Sequence, residues 1–164
     1  NELEITDALQ MMLEENNIVN FEMITDYWKD TGTPDDIIHA NGEILKNMKP
    51  YFSGIKENGA ELSSNTMIGN NSKLSSSSKL LGPCIIGENC SIGENCTIGP
   101  NVSIGNNSKL KNCNIQNSII MENCIIDSNM KIRNSILASN SSITIDNEND
   151  EKVLLLGEGT KISL

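Results

Sequence analysis

Aliphatic residues recur at a fixed interval through the second half of the chain. Leu62, Ile68, Leu74, Leu80, Ile86, Ile92, Ile98, Ile104 and Leu110 stand six apart without a break. The series continues through Ile115, Ile120, Ile126, Ile132, Leu137 and Ile143, with three steps of five. Gly follows the aliphatic at Gly69, Gly87, Gly93, Gly99 and Gly105. Four residues after it comes a small side chain: Thr66, Ser72, Ser78, Cys84, Cys90, Cys96, Val102 or Ser108. Asn usually precedes that one, at Asn65, Asn71, Asn89, Asn95, Asn101 and Asn107.

Each six-residue unit reads as a short strand plus a tight turn. The aliphatic points inward and stacks on its equivalent in the next coil, and the small residue points inward where a large one would not fit. Asn accepts left-handed backbone better than other non-Gly residues, so it suits the turn. Three units make one triangular coil. The steps of five keep Asn112-Cys113, Asn117-Ser118 and Asn134-Ser135 intact. The residue lost comes from the exposed turn between the aliphatic and the Asn.

The pattern upstream is different. Thr6-Asp7 reads as a helix start, with an N-cap oxygen and an acid at the positive end of the dipole. Ala8, Leu9, Met12 and Leu13 then give one apolar face, and the helix is expected to end near Asn16-Asn17. Ile18 to Thr25 alternates as a strand, around Val19, Phe21 and Met23. Thr33-Pro34-Asp35-Asp36 predicts a second helix with Pro in its first turn. Ile37, Ile38, Ile44, Leu45 and Met48 should line its buried side. Two helices and a strand cannot bury these faces alone, so they need a sheet, the coil or another subunit to cover them. After Ile143 the repeat stops. Asp146 to Lys152 reads as a charged turn, followed by strands at Val153–Leu156 and Lys161–Leu164 about a Gly157-Glu158-Gly159 turn, capping the last coil. The expected organisation is a first unit over 1–50, a linker over 51–61 and the repeat over 62–164.

Composition sharpens this picture in three places. Aromatics are 3% of the 164 residues, so the core must be aliphatic. Most of the net charge of −10 sits in the first unit, where residues 1–50 hold eleven acids against three Lys. That balance argues against nucleic-acid binding, and no basic amphipathic or long apolar stretch suggests a membrane partner. The five Cys are an odd count for a paired secreted framework. Cys84, Cys90, Cys96, Cys113 and Cys124 all fall at the small inward position, where they act as buried hydrophobes. Reduced, buried thiols predict a cytoplasmic protein. The start at Asn1 leads to the expectation of a piece cut from a longer protein.

The six-residue series, over roughly 62–145, resembles the hexapeptide-repeat family. That resemblance implies a left-handed parallel β-helix, preceded here by an incomplete α/β nucleotidyltransferase segment. Leu3-Glu4-Ile5-Thr6-Asp7 and Trp28-Lys29-Asp30-Thr31-Gly32 resemble the C-terminal part of the catalytic domain in glucose-1-phosphate thymidylyltransferases, long-type members of which continue into such a helix. The resemblance implies that Asp30 is one of two carboxylates holding a catalytic Mg²⁺. It also implies a nucleoside triphosphate and a sugar-1-phosphate as substrates, and a homo-oligomer, most often a trimer. The family's Gly-rich nucleotide loop, its phosphate-contacting Lys and Arg and its other metal Asp have no counterpart in this sequence. No complete catalytic site is therefore expected in the chain alone. Glu4 and Asp7 read as structural, and Trp28 as core.

Two alternatives share these features. Mannose-1-phosphate guanylyltransferases have the same architecture. Hexapeptide acyltransferases use a His general base, whereas the single His here, His39, lies in the second predicted helix, outside the coils. A carbonic anhydrase built on three His ligands is excluded on the same count.

Overall fold

In the computed structural model, residues 4–145, 151–152, 155–157 and 161–163 are described. Two helices, α1 (Ile5–Glu14) and α2 (Pro34–Asn47), precede a three-sided parallel β-solenoid. Its faces hold seven, seven and six strands among the described residues, and every strand pairs in parallel with the strand three places on.

The aliphatic series divides into three inward columns. Ile68, Ile86, Ile104, Ile120 and Leu137 share the first face. Leu74, Ile92, Leu110, Ile126 and Ile143 share the second. Leu80, Ile98, Ile115 and Ile132 share the third. Nearly all of these side chains are sealed from solvent, Ile98 and Ile115 completely. Burying each is worth roughly 1.5–3 kcal/mol, and together they form the core. The small positions form columns of their own, such as Cys84, Val102 and Ser118. Where the small residue is Ser, its hydroxyl is satisfied inside: Ser72 Oγ donates to the Gly87 carbonyl at 2.6 Å.

The turn Asn residues behave as their chemistry predicts. Asn65, Asn71, Asn89, Asn95, Asn101, Asn107, Asn112, Asn117 and Asn134 all have positive φ, between 44° and 60°. Several also stack into side-chain ladders, with Asn71 Nδ2 donating to Asn89 Oδ1 at 3.1 Å and Asn95 Nδ2 to Asn112 Oδ1 at 3.1 Å.

The solenoid begins earlier than the repeat suggested. Strands Tyr51–Phe52 and Ile55–Lys56, in the stretch read as a linker, pair with Met67–Ile68 and Lys73–Leu74. They complete an initial coil with Glu61–Leu62. Their inward positions hold Phe52 and Lys56 rather than small aliphatics, which hid them from the six-residue pattern. At the other end, Glu151–Lys152, Leu155–Leu156 and Lys161–Ser163 continue the three faces as a further parallel coil. Of the turn expected over Asp146 to Lys152, Glu151 and Lys152 are instead a strand, paired with Lys131–Ile132; positions 146–150 and residues Val153, Leu154, Glu158, Gly159 and Leu164 lie outside the described residues.

The first unit departs from expectation more. Helix α1 starts two residues earlier than expected, with Glu4 rather than Thr6 as the N-cap and no side-chain capping bond. None of its residues is buried. The strand expected over Ile18 to Thr25 is absent, since these residues pair with no strand among the described residues, and Phe21 and Met23 are exposed. Alternation alone cannot make a strand, because the backbone groups of a strand need a neighbour.

Helix α2 forms as predicted. Thr33 caps it, accepting from the Asp36 amide at 3.2 Å, while the Asp36 carboxylate accepts from the Thr33 amide at 3.2 Å. Its buried side is narrower than predicted: Ile38, Gly42 and Leu45 are buried, whereas Ile37 and Ile44 face solvent. That side lies on the first face of the solenoid, around strands Val102–Ile104 and Ser118–Ile120. Gly42 sits over Asn101, and Ser103 Oγ donates to Asn41 Oδ1 at 2.6 Å. On the same face Met67 occupies an outward position and is completely buried.

Candidate functional site

The segment singled out by its residues, 27–33, is a loop entering α2. Three contacts tie it to that helix. Tyr27 Oη and His39 Nδ1 are 3.1 Å apart. Lys29 Nζ lies 2.8 Å from Asp36 Oδ1. Thr33 closes the loop through the capping box, its hydroxyl also donating to Asp36 Oδ2 at 2.7 Å. The hydrogen bond from Lys29, then that from Thr33, holds the Asp36 carboxyl below its ordinary range. The Lys29 ammonium is correspondingly raised by Asp36.

Asp36 is thus committed to structure, and it draws Lys29 away from Asp30. The Asp30 carboxylate folds back over Gly32, with both oxygens 4.0 Å from where a Cβ on Gly32 would stand. It is exposed. Among the described residues no group of three or more His, Cys, Asp or Glu could hold a metal ion. Mg²⁺ typically takes one or two carboxylates and leaves its other positions to phosphates and water. One exposed carboxylate on an anchored loop fits a single ligand of such a set, and the described residues add no second.

The other residues named from sequence are scattered. Trp28, expected in the core, is 68% exposed, since nothing among the described residues covers it. Glu4 accepts a hydrogen bond from the Thr6 hydroxyl at 3.2 Å, and Asp7 sits in the first turn of α1, where an acid meets the helix dipole. His39 is on the surface of α2, paired with Tyr27, and contributes nothing to the coils. A cleft of 390 Å³ beside the loop is lined by Tyr27, Glu43, Ile44, Asn47 and Met48. Of these, Ile44 and Met48 belong to the helix side that the sequence pattern places in the core. Within the solenoid all five cysteines are free and buried. Burial pushes the Cys84 thiol up to about 12. No helix among the described residues is long and apolar enough to cross a membrane.

A nucleotidyltransferase-type segment joined to a hexapeptide β-helix is the class these features define, and comparison with known proteins agrees. Residues 1–47 match the family described as nucleotidyl transferase, and residues 80–163, half of the chain, match the one described as GMPPB C-terminal domain. The chain belongs to the GMPPB C-terminal domain family.

Curated relatives include a "Bifunctional protein GlmU" of Methanococcus vannielii, 39% identical over 41% of this chain and 16% of that protein. A "Low-salt glycan biosynthesis nucleotidyltransferase Agl11" of Haloferax volcanii is 47% identical over 27% of this chain and 13% of its own length. A glucose-1-phosphate thymidylyltransferase of Streptomyces griseus is 33% identical over 41% of this chain and 19% of that protein. The aligned stretches thus span less than a fifth of these relatives. Among solved structures, a hexapeptide transferase family protein from Anaplasma phagocytophilum aligns over 64% of this chain and 74% of its own. It is 16% identical with a TM-score of 0.34, and adds nothing to the fold that strand pairing already defines.

Proposed function

We propose that this chain works within a sugar-1-phosphate nucleotidylyltransferase, with glucose-1-phosphate and dTTP as the substrates and dTDP-glucose and pyrophosphate as the products. The observation that carries the reading is the Trp28-Lys29-Asp30-Thr31-Gly32 loop, anchored to α2 and through it to the solenoid, inside the stretch that matches nucleotidyl transferases. In this reaction the sugar phosphate oxygen attacks the α-phosphorus of the triphosphate. The nucleophile is already anionic, so the protein's task is alignment and charge neutralisation rather than proton removal. Mg²⁺, when bound, would supply most of that neutralisation. Asp30 would give it one carboxylate. Lys29 and Asp36 would fix the loop, leaving Asp30 free to turn toward the phosphates.

The remaining catalytic groups are assigned to sequence beyond this chain, which on this reading is inactive alone. The solenoid serves assembly or regulation, through flat faces suited to a homo-oligomer, with a trimer favoured. A cytoplasmic location belongs to the same proposal, supported by five unpaired cysteines. A mannose-1-phosphate guanylyltransferase is the nearest alternative, and an acyltransferase stands further off, because the single His lies outside the coils.

The test is pyrophosphate release by a full-length protein that contains this chain, assayed with glucose-1-phosphate and dTTP or UTP, and with mannose-1-phosphate and GTP. Asp30→Asn should abolish release while leaving the solenoid's thermal transition in place. Full activity in Asp30→Asn would remove the proposed metal role. Acetyl-CoA consumption without pyrophosphate release would overturn the nucleotidyl-transfer reading.

A further inference from the structure

The inward column on the third face runs through Ser78, Cys96, Cys113 and Met130, the residues just before the register partners Lys79, Thr97, Asn114 and Lys131. Cys96 and Cys113 are the one pair of cysteines stacked on neighbouring coils, since Cys84 has Val102 beside it and both Cys90 and Cys124 have Ser108. Their sulfurs are 3.6 Å apart and share a hydrogen bond. Neighbouring strands run about 4.8 Å apart, inside the roughly 4.4–6.8 Å between Cα atoms that a disulfide spans. The ladder holds both backbones in place: Thr97 donates to the Cys113 carbonyl at 2.8 Å, and Asn114 to the Met130 carbonyl at 2.9 Å.

Both cysteines are buried, and Cys113 is among the residues lining a cleft of 220 Å³ with Asn95, Asn112, Asn129 and Lys131. Cys113 follows a five-residue step, in which the turn covering it is one residue shorter than in the regular units.

We propose that Cys96 and Cys113 are an oxidisable dithiol, closed by a small peroxide to a disulfide that ties two adjacent coils together. One proton is shared between the sulfurs once the pair has lost the other. The hydrogen bond from Cys113 lowers Cys96, while that same bond and burial hold Cys113 well above its ordinary value. With the shared proton on Cys113, the Cys96 thiolate attacks a peroxide oxygen entering by the cleft. An S–O bond forms, the O–O bond breaks, and hydroxide leaves with a proton from solvent. Cys113 then attacks the sulfenic sulfur. The S–S bond forms, the S–O bond breaks, and hydroxide leaves as water with the Cys113 proton. Two thiols and one peroxide become one disulfide and two waters.

The test exposes the folded chain to hydrogen peroxide, blocks remaining thiols with N-ethylmaleimide after denaturation, and maps unreduced peptides by mass. A Cys96–Cys113 cross-link is expected as the main product, with the intact chain lighter by two hydrogens and restored by dithiothreitol. Cys113→Ser should lose the cross-link, and Cys84→Ser should keep it. Serine already fills this column at Ser78, so Cys113→Ser should retain the fold. The unmodified chain decides the question even if that variant fails. Thiols untouched under conditions that fully oxidise free glutathione, or sulfinic acids and cross-links between other cysteines, would overturn the proposal.

Discussion

The Ser103 hydroxyl reaches across from the solenoid to the Asn41 side chain of α2, donating to its Oδ1 at 2.6 Å. This bond, with Ile38 and Leu45 buried beneath the helix, makes the first face of the solenoid a platform for α2. The loop that carries Asp30 is tied in turn to α2 through Tyr27–His39 and Lys29–Asp36. Position therefore passes from coil to helix to loop.

Undocking should follow from removing the helix's largest buried side chain. Leu45 is 1% exposed, and truncating such a residue costs about 2–5 kcal/mol when the rest of the site cannot collapse. Leu45→Ala should speed amide exchange throughout Pro34–Asn47 while leaving the strand Thr97–Ile98 as protected as before. Ser103→Ala should act in the same direction with a smaller effect, about 0.5–1.5 kcal/mol, because it removes one part-buried hydrogen bond. Equal acceleration in helix and coils would mean that the two unfold as one unit.

The turns offer a contrast between two backbone requirements. Asn65 has a φ of 59° and no side-chain hydrogen bond among those described. Asn65→Ala should cost about 1–2 kcal/mol, the penalty of left-handed backbone for an ordinary residue, and Asn65→Gly should be close to neutral. Gly99 is different: its φ is 103°, and a Cβ there would fall onto the Leu81 carbonyl. Gly99→Ala should lower the urea midpoint far more than Asn65→Ala does. Similar midpoints for the two would show that the coils shift readily to make room.

Much of this architecture could be read from residue spacing. The interval of six, the small inward residues and the turn Asn together define the columns that the strands form. The docking face is partly legible as well. The residue just before each aliphatic points outward, and it is polar at Lys73, Lys79, Ser91 and Lys109. On the first face it is apolar at Met67, Ile85, Ile119 and Ile136, interrupted only by Ser103, which bonds to Asn41. An outward face this apolar favours a covering element. Ile18 to Thr25 failed for the opposite reason, since its alternation needs a neighbouring strand that the described residues do not provide. Asp30 was legible as an exposed loop acid, and its division of labour with Asp36 was not. Which carboxylate Lys29 pairs with depends on how the loop folds back on the helix.

That division gives a prediction in acid. The Asp36 carboxyl is depressed by Lys29 and Thr33. A depressed carboxyl contributes stability above its unfolded value and loses it as pH falls through the folded one. The loop should therefore loosen below the ordinary carboxylate range. Trp28, the single Trp and largely exposed beside Lys29, reports on it by fluorescence. Asp36→Asn should remove the acid transition and give at neutral pH the signal that the unaltered chain reaches only in acid. An unchanged transition in Asp36→Asn would assign it to another carboxylate.

Alkali should act on the core through Cys84. Its thiol is raised by burial from 9.0 to about 12. Below the lower value both folded and unfolded states hold the proton, so its titration adds no pH dependence. Between the two values the unfolded chain releases the proton and the folded chain keeps it. Stability then falls by about 1.4 kcal/mol per pH unit from this group alone. Other thiols and the lysines titrate in the same range, so the measurement must be a difference. Cys84→Val supplies it, because Val102 already fills the same inward position one coil away. Urea midpoints should be similar for the two proteins near neutral pH and diverge as pH rises, with the Val variant the more stable in alkali. Parallel losses in both would mean that Cys84 ionises as easily in the fold as outside it, and that the column is open to water at that coil.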